Sequence, residues 1–370
     1  MFRVYVTIVL ILSFIGLSAQ TSTSWPSFRG NASLSGVANV QLPKAPKLSW
    51  TFKMDDGTKS SPIINNGTVF IGSNSGNLYS ISTAGKLNWT YNTGNAIEAA
   101  PLFLDNTIFI GSLEGNLFAL NAKTGEKIWK YATEGQISGP SNYFIAAGSK
   151  EKKIITGSYD YSLHCVDAKT GKVSWKYTSD NYINSSPASS GKVSVFGGCD
   201  GLLHVVDLNT GKAKHKIEIG TYIASSAALA GNLAFFGNYD GEFFCVDYSL
   251  KKIVWKQSGG GSFVASPAVS DNKIVIGSEN RTIYCFNKSD GKILWKYKTL
   301  GKVTGSPVIS GKNVVIASGD GRIYFLDLQT GVQNWMYEMG SPSSSTPAII
   351  QDLLVIAAED GRLFGFSLKN

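Results

Sequence analysis

The sequence predicts an all-β protein, an eight-bladed β-propeller of four-stranded antiparallel blades. The first observation behind this prediction is a Ser-Ser-Pro-like triplet that recurs eight times, at intervals of 39 to 47 residues. The triplets begin at Ser60, Ala99, Ser138, Ser185, Ser225, Ala265, Gly305 and Ser345. A repeat of about 40 residues that carries only β-type local signals is typical of a propeller.

The second observation is a tryptophan that recurs in step with the triplet, and His215 stands at the one place where it is missing. We interpret these tryptophans as structural residues of the repeat: Trp50, Trp89, Trp129, Trp175, Trp255, Trp295 and Trp335. Because every copy keeps the same spacing between triplet and tryptophan, each copy is one structural unit.

Four short strands fill each repeat. A first apolar strand follows the triplet. A second apolar strand, such as Thr68–Gly72, follows the first. Asp-Gly pairs such as Asp200-Gly201 then predict a tight hairpin turn. The third strand, for example residues 323–326, is apolar at nearly every position, which indicates burial on both faces. A Thr-Gly-Lys-type turn leads into the tryptophan strand.

The two ends of the repeat array complement each other. Residues 47–53 form a tryptophan strand with no blade before it, whereas residues 362–368 form a third strand with no tryptophan strand after it. We therefore expect the N-terminal strand to close the last blade, because closure removes the exposed sheet edge of an open ring. The propeller should span residues 46–370, and residues 20–45 should form an N-terminal extension.

The first 19 residues differ from the rest of the chain. A positive Arg3 precedes an apolar run that ends in a small residue, Ala19, and this pattern is typical of a secretory signal peptide, residues 1–19. The alternative is an N-terminal membrane helix. Cleavage would leave an exported protein without a membrane span, located in the periplasm or outside the cell.

The triplet, the Gly-Ser-x-Asp-Gly turn, the Asp-x-x-Thr-Gly-Lys turn and the tryptophan strand resemble the pyrroloquinoline quinone (PQQ)-like repeat, over residues 46 to 370. The preceding segment is similar to the lead-in of secreted bacterial relatives: Trp25-Pro26-Ser27-Phe28-Arg29-Gly30. The resemblance implies one of two functions. The superfamily contains quinoprotein dehydrogenases, and it also contains non-enzymatic propellers such as the propeller lipoprotein of the outer-membrane β-barrel assembly machinery.

A dehydrogenase of this superfamily would imply PQQ, a Ca²⁺ ion, a catalytic Asp and a disulfide between adjacent cysteines. The chain has no adjacent cysteines. His164 and His204 stand where other copies carry an aromatic residue, and His215 stands at the tryptophan place, so we interpret all three as packing residues. The sequence therefore predicts no catalytic residue, no metal ligand and no cofactor. PQQ with Ca²⁺ belongs only to the alternative function, a PQQ-dependent oxidoreductase with an atypical site.

The formal net charge of +8 is dispersed over many turns, which does not favour nucleic acid as a partner. The residues just before each triplet lie in loops that should surround one mouth of the central channel, and their identity is not imposed by the repeat. We predict a binding surface there, formed by Lys59, Glu98, Gln136, Tyr182, Asn184, Tyr222, Phe263, Lys302 and Ser343. The leading hypothesis is a monomeric, non-enzymatic scaffold for a protein partner, with a glycan as the second partner class.

Overall fold

The computed structural model describes residues 23–369 and consists of eight sheets arranged as the blades of a closed ring. The predicted signal peptide, residues 1–19, lies outside the described residues. We number the blades by their innermost strands, which contact one another around the channel axis.

In each blade, four strands lie side by side from the channel axis outward. Blade 1 contains Ile63–Asn65, Thr68–Gly72, Asn77–Ser82 and Leu87–Asn92; blade 2 contains Leu102–Leu104, Thr107–Gly111, Asn116–Asn121 and Lys127–Ala132; blade 3 contains Asn142–Ile145, Lys152–Gly157, Ser162–Asp167 and Val173–Thr178; blade 4 contains Ala188–Ser189, Val193–Gly197, Leu202–Asp207 and Ala213–Glu218. Blade 5 contains Ala228–Ala230, Leu233–Gly237, Glu242–Asp247 and Lys252–Ser258; blade 6 contains Ala268–Val269, Lys273–Ser278, Thr282–Asn287 and Ile293–Lys298; blade 7 contains Val308–Ser310, Asn313–Ala317, Arg322–Asp327 and Gln333–Glu338; blade 8 contains Ala348–Ile350, Leu353–Ala357, Arg362–Ser367 and Lys47–Lys53. A 3-10 turn at Phe28–Gly30 and a short strand at Val37–Ala38 precede them.

The predicted closure of the ring is confirmed. Lys47–Lys53 pairs antiparallel with Arg362–Ser367, with Trp50 opposite Gly365 and Phe52 opposite Leu363. The outermost strand of blade 8 therefore comes from the N-terminal part of the chain, and the prediction of eight four-stranded antiparallel blades is also confirmed. None of the helices among the described residues is long and apolar enough to cross a membrane.

The hydrophobic core lies between consecutive blades. Between blades 1 and 2, for example, Phe70 and Leu78 of one sheet form a cluster with Ile108, Ile110 and Phe118 of the next. The third strands are buried on both faces because each blade is covered by a neighbour on either side. Burial of each large apolar side chain contributes roughly 1.5–3 kcal/mol, so adjacent blades stabilise each other.

One detail of the predicted repeat is wrong by a single residue. The second strand of blade 2 ends in Gly111, where a β-carbon would lie 2.2 Å from Ile137, just as one at Gly72 would lie 2.1 Å from Ile97. Ile137 therefore fixes the phase of the third repeat. Its triplet is Gly139-Pro140-Ser141 rather than Ser138-Gly139-Pro140, because the buried isoleucine, and not the proline, sets the register.

The repeat tryptophans lock each blade to the next. The indole N–H of Trp129 donates to the carbonyl oxygen of Ala168 at 3.1 Å, in the last turn of the following blade. The ring packs on Gly171 of that turn, whose φ is 69° and whose β-carbon would lie 2.7 Å from the indole. The same indole-to-carbonyl bond is made by Trp50, Trp89, Trp175, Trp255 and Trp295. Trp335 instead packs on Phe325 of its own blade and on Phe366 of blade 8, which closes the ring.

The exception at His215 has a matching exception in the next blade. The turn that should receive this side chain carries Lys251, at φ 57°, where the other turns carry glycine. Thus the one repeat that lacks the tryptophan also faces the one turn that lacks the glycine. The pairing indicates that glycine is required by the indole ring, since only a residue without a β-carbon leaves room for it.

The N-terminal extension lines the inner edges of the blades. Backbone carbonyl oxygens of residues 25–36 accept hydrogen bonds of 2.7–2.9 Å from the innermost strands of six blades in turn. The donors, all at the same repeat position, are Ile64, Phe103, Ser189, Leu229, Val269 and Ile309. Asn142 of blade 3 reaches the same segment through its side chain, at 2.8 Å from the carbonyl oxygen of Ala32. The extension thereby satisfies amide groups that would otherwise face the channel axis unpaired.

Arg29 is the central residue of this extension. It is fully buried, and its guanidinium donates to the carbonyl oxygens of Pro307 at 2.5 Å and Pro267 at 2.7 Å. No carboxylate of the described residues lies within salt-bridge distance of Arg29. Burial lowers its pKa to about 9. The extension thus places a positive charge on the inner wall of blades 6 and 7 and binds it to carbonyl dipoles.

We predict that His215 and Lys251 are energetically coupled. His215→Trp alone should destabilise the protein by roughly 1–3 kcal/mol, because the larger ring meets the side chain at position 251. Adding Lys251→Gly should recover that loss and give a favourable coupling of roughly 1–3 kcal/mol, measured as a double-mutant cycle by denaturant unfolding.

Two alanine variants provide the control for this cycle. Gly211→Ala places a methyl group 2.6 Å from the Trp175 ring, whereas Gly191→Ala, also at positive φ, has nothing within 4 Å. Gly191→Ala therefore measures only the loss of unfolding free energy that a β-carbon causes at a backbone position with positive φ. Additive effects of the His215 and Lys251 substitutions, together with equal losses in the two alanine variants, would show that indole and glycine are not coupled.

Candidate binding surface at the channel mouth

Two sets of loops form one face of the propeller. The loop between the second and third strands of a blade lies beside the loop that leads into that blade. The amide N–H of Tyr159 donates to the carbonyl oxygen of Gln136 at 2.9 Å, and that of Tyr239 to Tyr222 at 3.1 Å. We call this surface the mouth face. All nine predicted binding residues belong to the loops that lead into the blades, and the structure places them at three different depths.

Three predicted residues, Lys59, Glu98 and Asn184, line a cavity of about 180 Å³ in the channel. Phe28 of the N-terminal extension lines the same cavity, and the remaining wall consists mainly of small residues. Residues at the same repeat position as Lys59 also line it and were missed by the sequence analysis: Ala224, Val264, Thr304 and Ser344. The triplets of these repeats were placed correctly, and taking the residue directly before each triplet would have identified all four.

Lys59 and Glu98 form an ion pair across the cavity wall, with a distance of 2.7 Å between Nζ and Oε1. The hydrogen bond from Lys59 to Glu98 and the charge of that carboxylate raise the pKa of Lys59. The single carboxylate of the cavity wall is therefore already paired with a cation of this chain. Both side chains are partly exposed, so the pair itself contributes little to stability.

A ring of hydroxyl groups joins neighbouring blades around this cavity. The second residue of the triplet accepts a hydrogen bond of 2.8–3.0 Å from the backbone N–H of the preceding blade. The accepting hydroxyls are Ser226, Ser266, Ser306 and, across the closure of the ring, Ser61. Serine recurs at this position because its hydroxyl satisfies a buried backbone donor.

Two other predicted residues are buried beneath the mouth face. Phe263 has no exposed surface and packs on Phe243 and Tyr284. Ser343 is 1% exposed and donates to the carbonyl oxygen of Ala357 at 2.7 Å. Both occupy the repeat position of Ile97, which faces Gly72 in the second strand of the preceding blade. Their side chains are part of the core and offer no surface to a partner.

The last four predicted residues, Gln136, Tyr182, Tyr222 and Lys302, are exposed on the rim of the mouth face. Lys302 pairs with Glu279 at 3.1 Å. Tyr182 lies in an aromatic cluster: its ring centroid is 4.7 Å from that of Tyr159, in a stacked arrangement, and 5.1 Å from that of Tyr161. On the rim, therefore, the side chains predicted from the sequence remain exposed and can contact a partner.

We define the tyrosine patch as Tyr159, Tyr161, Tyr182, Tyr222 and Tyr239, all on the rim of blades 3 to 5. Tyr222 and Tyr239 contact each other edge to face, one blade beyond the Tyr182 cluster. Four of the rings are 41% to 53% exposed, and Tyr159 is half-buried beneath Tyr182. Sequence reasoning missed Tyr159, Tyr161 and Tyr239, because they belong to the loops between second and third strands, which were treated only as turns.

The backbone at Tyr161 is unusual. Its φ is 68°, and six other blades carry glycine with positive φ at the same turn position: Gly76, Gly115, Gly201, Gly241, Gly321 and Gly361. Arg281 of blade 6 is the other non-glycine residue there. A non-glycine residue in this conformation costs of order 1–3 kcal/mol, and such residues cluster at ligand-binding sites. The departure from the repeat therefore marks Tyr161 as a residue that the fold does not require.

Asp160 anchors the turn that carries Tyr159 and Tyr161. Its carboxylate, only 4% exposed, accepts from His164 Nε2 at 2.9 Å and from the backbone N–H of Ser162 at 3.0 Å. The other ring nitrogen of His164, Nδ1, lies 2.9 Å from the Tyr131 hydroxyl of blade 2. The contacts fit a neutral imidazole that donates to Asp160 and accepts from Tyr131. The same chain, Tyr177–His204–Asp200, recurs one blade later.

Burial lowers the pKa of His164, although the hydrogen bond to Asp160 opposes the shift. Burial would raise the pKa of Asp160, but the hydrogen bond and charge of His164 outweigh it, and that pKa is lowered. The packing role predicted for these histidines is therefore incomplete, since each also links a turn carboxylate to the adjacent blade.

The channel cavity is small, and its wall contains one carboxylate. Its volume of about 180 Å³ lies below the roughly 300–1,000 Å³ of typical ligand pockets. Glu98 is its one carboxylate, and it is held by Lys59. Within residues 23–369, His, Cys, Asp and Glu nowhere come together in a group of three or more that could bind a metal ion. Ca²⁺ prefers six to eight oxygen ligands, including carboxylates, which this wall does not supply.

The chain is similar in structure to several solved propellers. BamB from Moraxella catarrhalis superposes with a TM-score of 0.75 at 19% sequence identity, over 87% of this chain and 99% of that chain. A quinohemoprotein alcohol dehydrogenase from Comamonas testosteroni gives a TM-score of 0.78 at 13% identity, over 95% of this chain and 81% of that chain. A europium-containing methanol dehydrogenase gives 0.76 at 11% identity, over 93% and 98% of the two chains. At these identities the likeness shows the fold alone.

The blade architecture and the repeat define the chain as an eight-bladed β-propeller, and a match to a PQQ-type propeller model over part of the chain supports the resemblance that its motifs predicted. The family model described as beta-alanine-activating enzyme, beta-propeller, matches residues 140–370, which is more than half of the chain, and the chain therefore belongs to that family. A second model, described as glucose/ethanol/alcohol dehydrogenase, beta-propeller domain, matches residues 79–194. No curated protein sequence matches the chain.

We predict that acidification weakens the anchoring of the tyrosine-bearing turn. A histidine whose pKa is lowered by folding binds its proton more readily in the unfolded chain, so stability is lost as the pH falls below the ordinary value of 6.5. The Asp160 carboxylate contributes to this loss of stability only at lower pH, below its ordinary pKa of 3.8. Unfolding free energies should therefore fall between about pH 7.5 and about pH 5, and His164→Phe with Asp160→Asn should reduce that fall. An unchanged pH dependence in the double variant would refute this role.

Proposed function

We propose that this chain is a non-enzymatic β-propeller that binds a protein partner through the tyrosine patch of its mouth face, in the cell envelope or outside the cell. The observation that carries the proposal is the patch itself: five tyrosines gathered on the rim of three blades, one of them in a strained turn. The repeat does not dictate these residues, and the other rim positions carry different side chains.

Exposed tyrosines are suited to protein recognition. Each presents a large, rigid contact area at low cost in side-chain entropy, and its hydroxyl can form hydrogen bonds at the edge of the contact. Tyrosine is accordingly enriched in the buried parts of protein interfaces. A scattered set of exposed apolar residues would need no explanation, whereas two groups of contacting tyrosines on one rim support a binding surface.

The resemblance to the propeller lipoprotein of the outer-membrane β-barrel assembly machinery supports a scaffold rather than an enzyme. The structural likeness to BamB extends over nearly all of that chain. Export rests on the predicted signal peptide at residues 1–19. The proposal includes a monomeric protein, because the closed ring leaves no incomplete blade through which copies would join.

The alternative function is a PQQ-dependent oxidoreductase. The dehydrogenase propeller model that matches residues 79–194 favours it. The channel wall weighs against it, because Ser, Thr and Ala residues surround a small cavity whose carboxylate is paired. The proposal therefore places binding on the rim and not in the channel.

We predict that capture of a protein partner depends on the tyrosine patch. The bait is the chain without residues 1–19, cross-linked in an envelope extract of the source organism. A variant with Tyr161→Gly, Tyr182→Ser and Tyr222→Ser should lose the captured protein, because it removes the exposed rings and restores the glycine of the other repeats at position 161. Mass spectrometry of the cross-linked band provides the measurement.

The control variant carries Leu87→Ser, Leu250→Ser and Val332→Ser, which remove exposed apolar side chains near the last turns of blades 1, 5 and 7, on the face opposite the patch. It should capture the same protein as the unmodified chain. Equal capture by all three forms would contradict the proposal. A patch-dependent dimer in light scattering would make a second copy the occupant, and patch-dependent binding on a glycan array without protein capture would assign the patch to carbohydrate.

We also predict that PQQ does not bind, with or without Ca²⁺. Titration should leave tryptophan fluorescence and the melting temperature unchanged, because a ligand that binds only the folded state would raise the melting temperature. A quinoprotein dehydrogenase stripped of its cofactor serves as the positive control. Saturable, Ca²⁺-dependent binding by this chain would favour the oxidoreductase instead.

A further inference from the structure

Grooves open between adjacent blades on the face opposite the mouth. This face carries the turns between first and second strands and the turns between third and fourth strands. The two kinds of turn are hydrogen-bonded to each other, as in Ala168 N to Lys152 O at 3.0 Å. The groove between blades 1 and 2 has a volume of about 420 Å³, that between blades 6 and 7 about 490 Å³, and that between blades 2 and 3 about 700 Å³.

The groove between blades 2 and 3 owes its size to an insertion found in one repeat. Residues 146–151 connect the first two strands of blade 3, whereas two residues, Asn66 and Gly67, connect those of blade 1. The inserted loop is largely exposed, and its Ala147 N–H donates to the side chain of Asn209 in blade 4 at 2.9 Å. The propeller closes without such a loop in its other blades, so the fold does not require it.

The lining of this groove carries a net positive charge. Five lysines and three carboxylates line it: Lys150, Lys152, Lys153, Lys169 and Lys172, with Asp105, Glu151 and Asp167. The grooves between blades 1 and 2 and between blades 6 and 7 are lined by amide side chains, with one lysine in the first and none in the second. Among these three grooves, the basic lining is thus particular to the one between blades 2 and 3.

The carboxylates of this groove are already paired. Lys152 binds Asp105 at 2.6 Å, and Lys153 binds Glu151 at 3.0 Å and Asp167 at 3.1 Å. Lys150, Lys169 and Lys172 are exposed, and within residues 23–369 none of them has a carboxylate within salt-bridge distance. Three ammonium groups on two different loops therefore face the groove with their charge uncompensated.

We propose that this groove binds an acidic, extended peptide segment of a protein partner. Its volume lies within the range of pockets that enclose a ligand. The three lysines supply point charges for carboxylates, and Leu104, Phe109 and Val173 supply apolar contact between them. Arginine, whose planar guanidinium suits bidentate binding of phosphate, is absent from the lining.

This second surface lies on the face opposite the tyrosine patch. A scaffold with an aromatic patch on one face and a basic groove on the other can hold two partners at once without competition between them. The groove does not depend on the proposed function of the mouth face, because none of its lining residues belongs to the patch.

The test is fluorescence anisotropy with fluorescein-labelled decaglutamate, and with decaglutamine as the neutral probe, at about 50 mM salt, where screening is weak. The groove variant carries Lys150→Glu, Lys169→Glu and Lys172→Glu. The matched control carries Lys86→Glu, Lys212→Glu and Lys312→Glu, three exposed lysines of the same face without a salt-bridged carboxylate among residues 23–369. Both variants change the net charge equally, so diffuse attraction affects them equally.

Decaglutamate should bind the unmodified chain, the groove variant should bind at least about tenfold more weakly, and the control should lose less than about threefold. A photoreactive group on the peptide should cross-link to residues 146–153 of the unmodified chain, which tests the groove without any substitution. Equal weakening in both variants, binding of decaglutamine, no cross-link to the insertion, or groove-dependent binding of heparin in preference to decaglutamate would overturn the proposal.

Discussion

Each blade turns one edge of its innermost strand toward the channel axis, where no strand of another blade pairs with it; in blade 7 the short strand Val37–Ala38 of the extension pairs with this edge in parallel. In six blades, the N–H group at one repeat position of this edge is bound by a carbonyl oxygen of the N-terminal extension. The extension thus connects blades that are far apart in the sequence, and Arg29 adds a further contact to two of them, blades 6 and 7, through their proline carbonyls. Each such bond contributes only about 1 kcal/mol, but leaving the groups buried and unpaired would cost more. The closed ring depends on this segment as much as on the strand that closes blade 8.

A second set of contacts fixes the spacing between blades. The indole of one blade rests on the last turn of the next, and the glycine of that turn makes room for it. The joint departure at His215 and Lys251 shows that the two positions act as a pair. Because these contacts and the buried third strands carry the fold, the loops on both faces are free to differ from the repeat. The features that we assign to function are such differences: tyrosines on the mouth face and a lysine-lined groove beside an inserted loop on the opposite face.

The two faces differ in the chemistry that they offer. Rigid aromatic rings on the mouth face suit a partner with apolar surface, whereas ammonium groups around a groove suit a partner with carboxylates. The Tyr131–His164–Asp160 chain connects the tyrosine-bearing turn to blade 2, so the geometry of the patch is coupled to the protonation of a buried histidine. The channel between the faces is narrow and lined by hydroxyls whose role is to join blades.

The sequence by itself determined the number of blades, the four strands of each, and the strand that closes the ring, because periodic spacing and two-sided apolar strands leave few other arrangements. It also identified the rim tyrosines Tyr182 and Tyr222. Only the tertiary structure decided that Phe263 and Ser343 are buried, that Tyr159, Tyr161 and Tyr239 complete the patch, and that the extension lines the channel. The physical reason is that the repeated residues are those through which neighbouring blades contact each other, so the repeat predicts these contacts. The depth of a loop residue, and the neighbours that it meets from another loop, depend on how the blades are arranged in space.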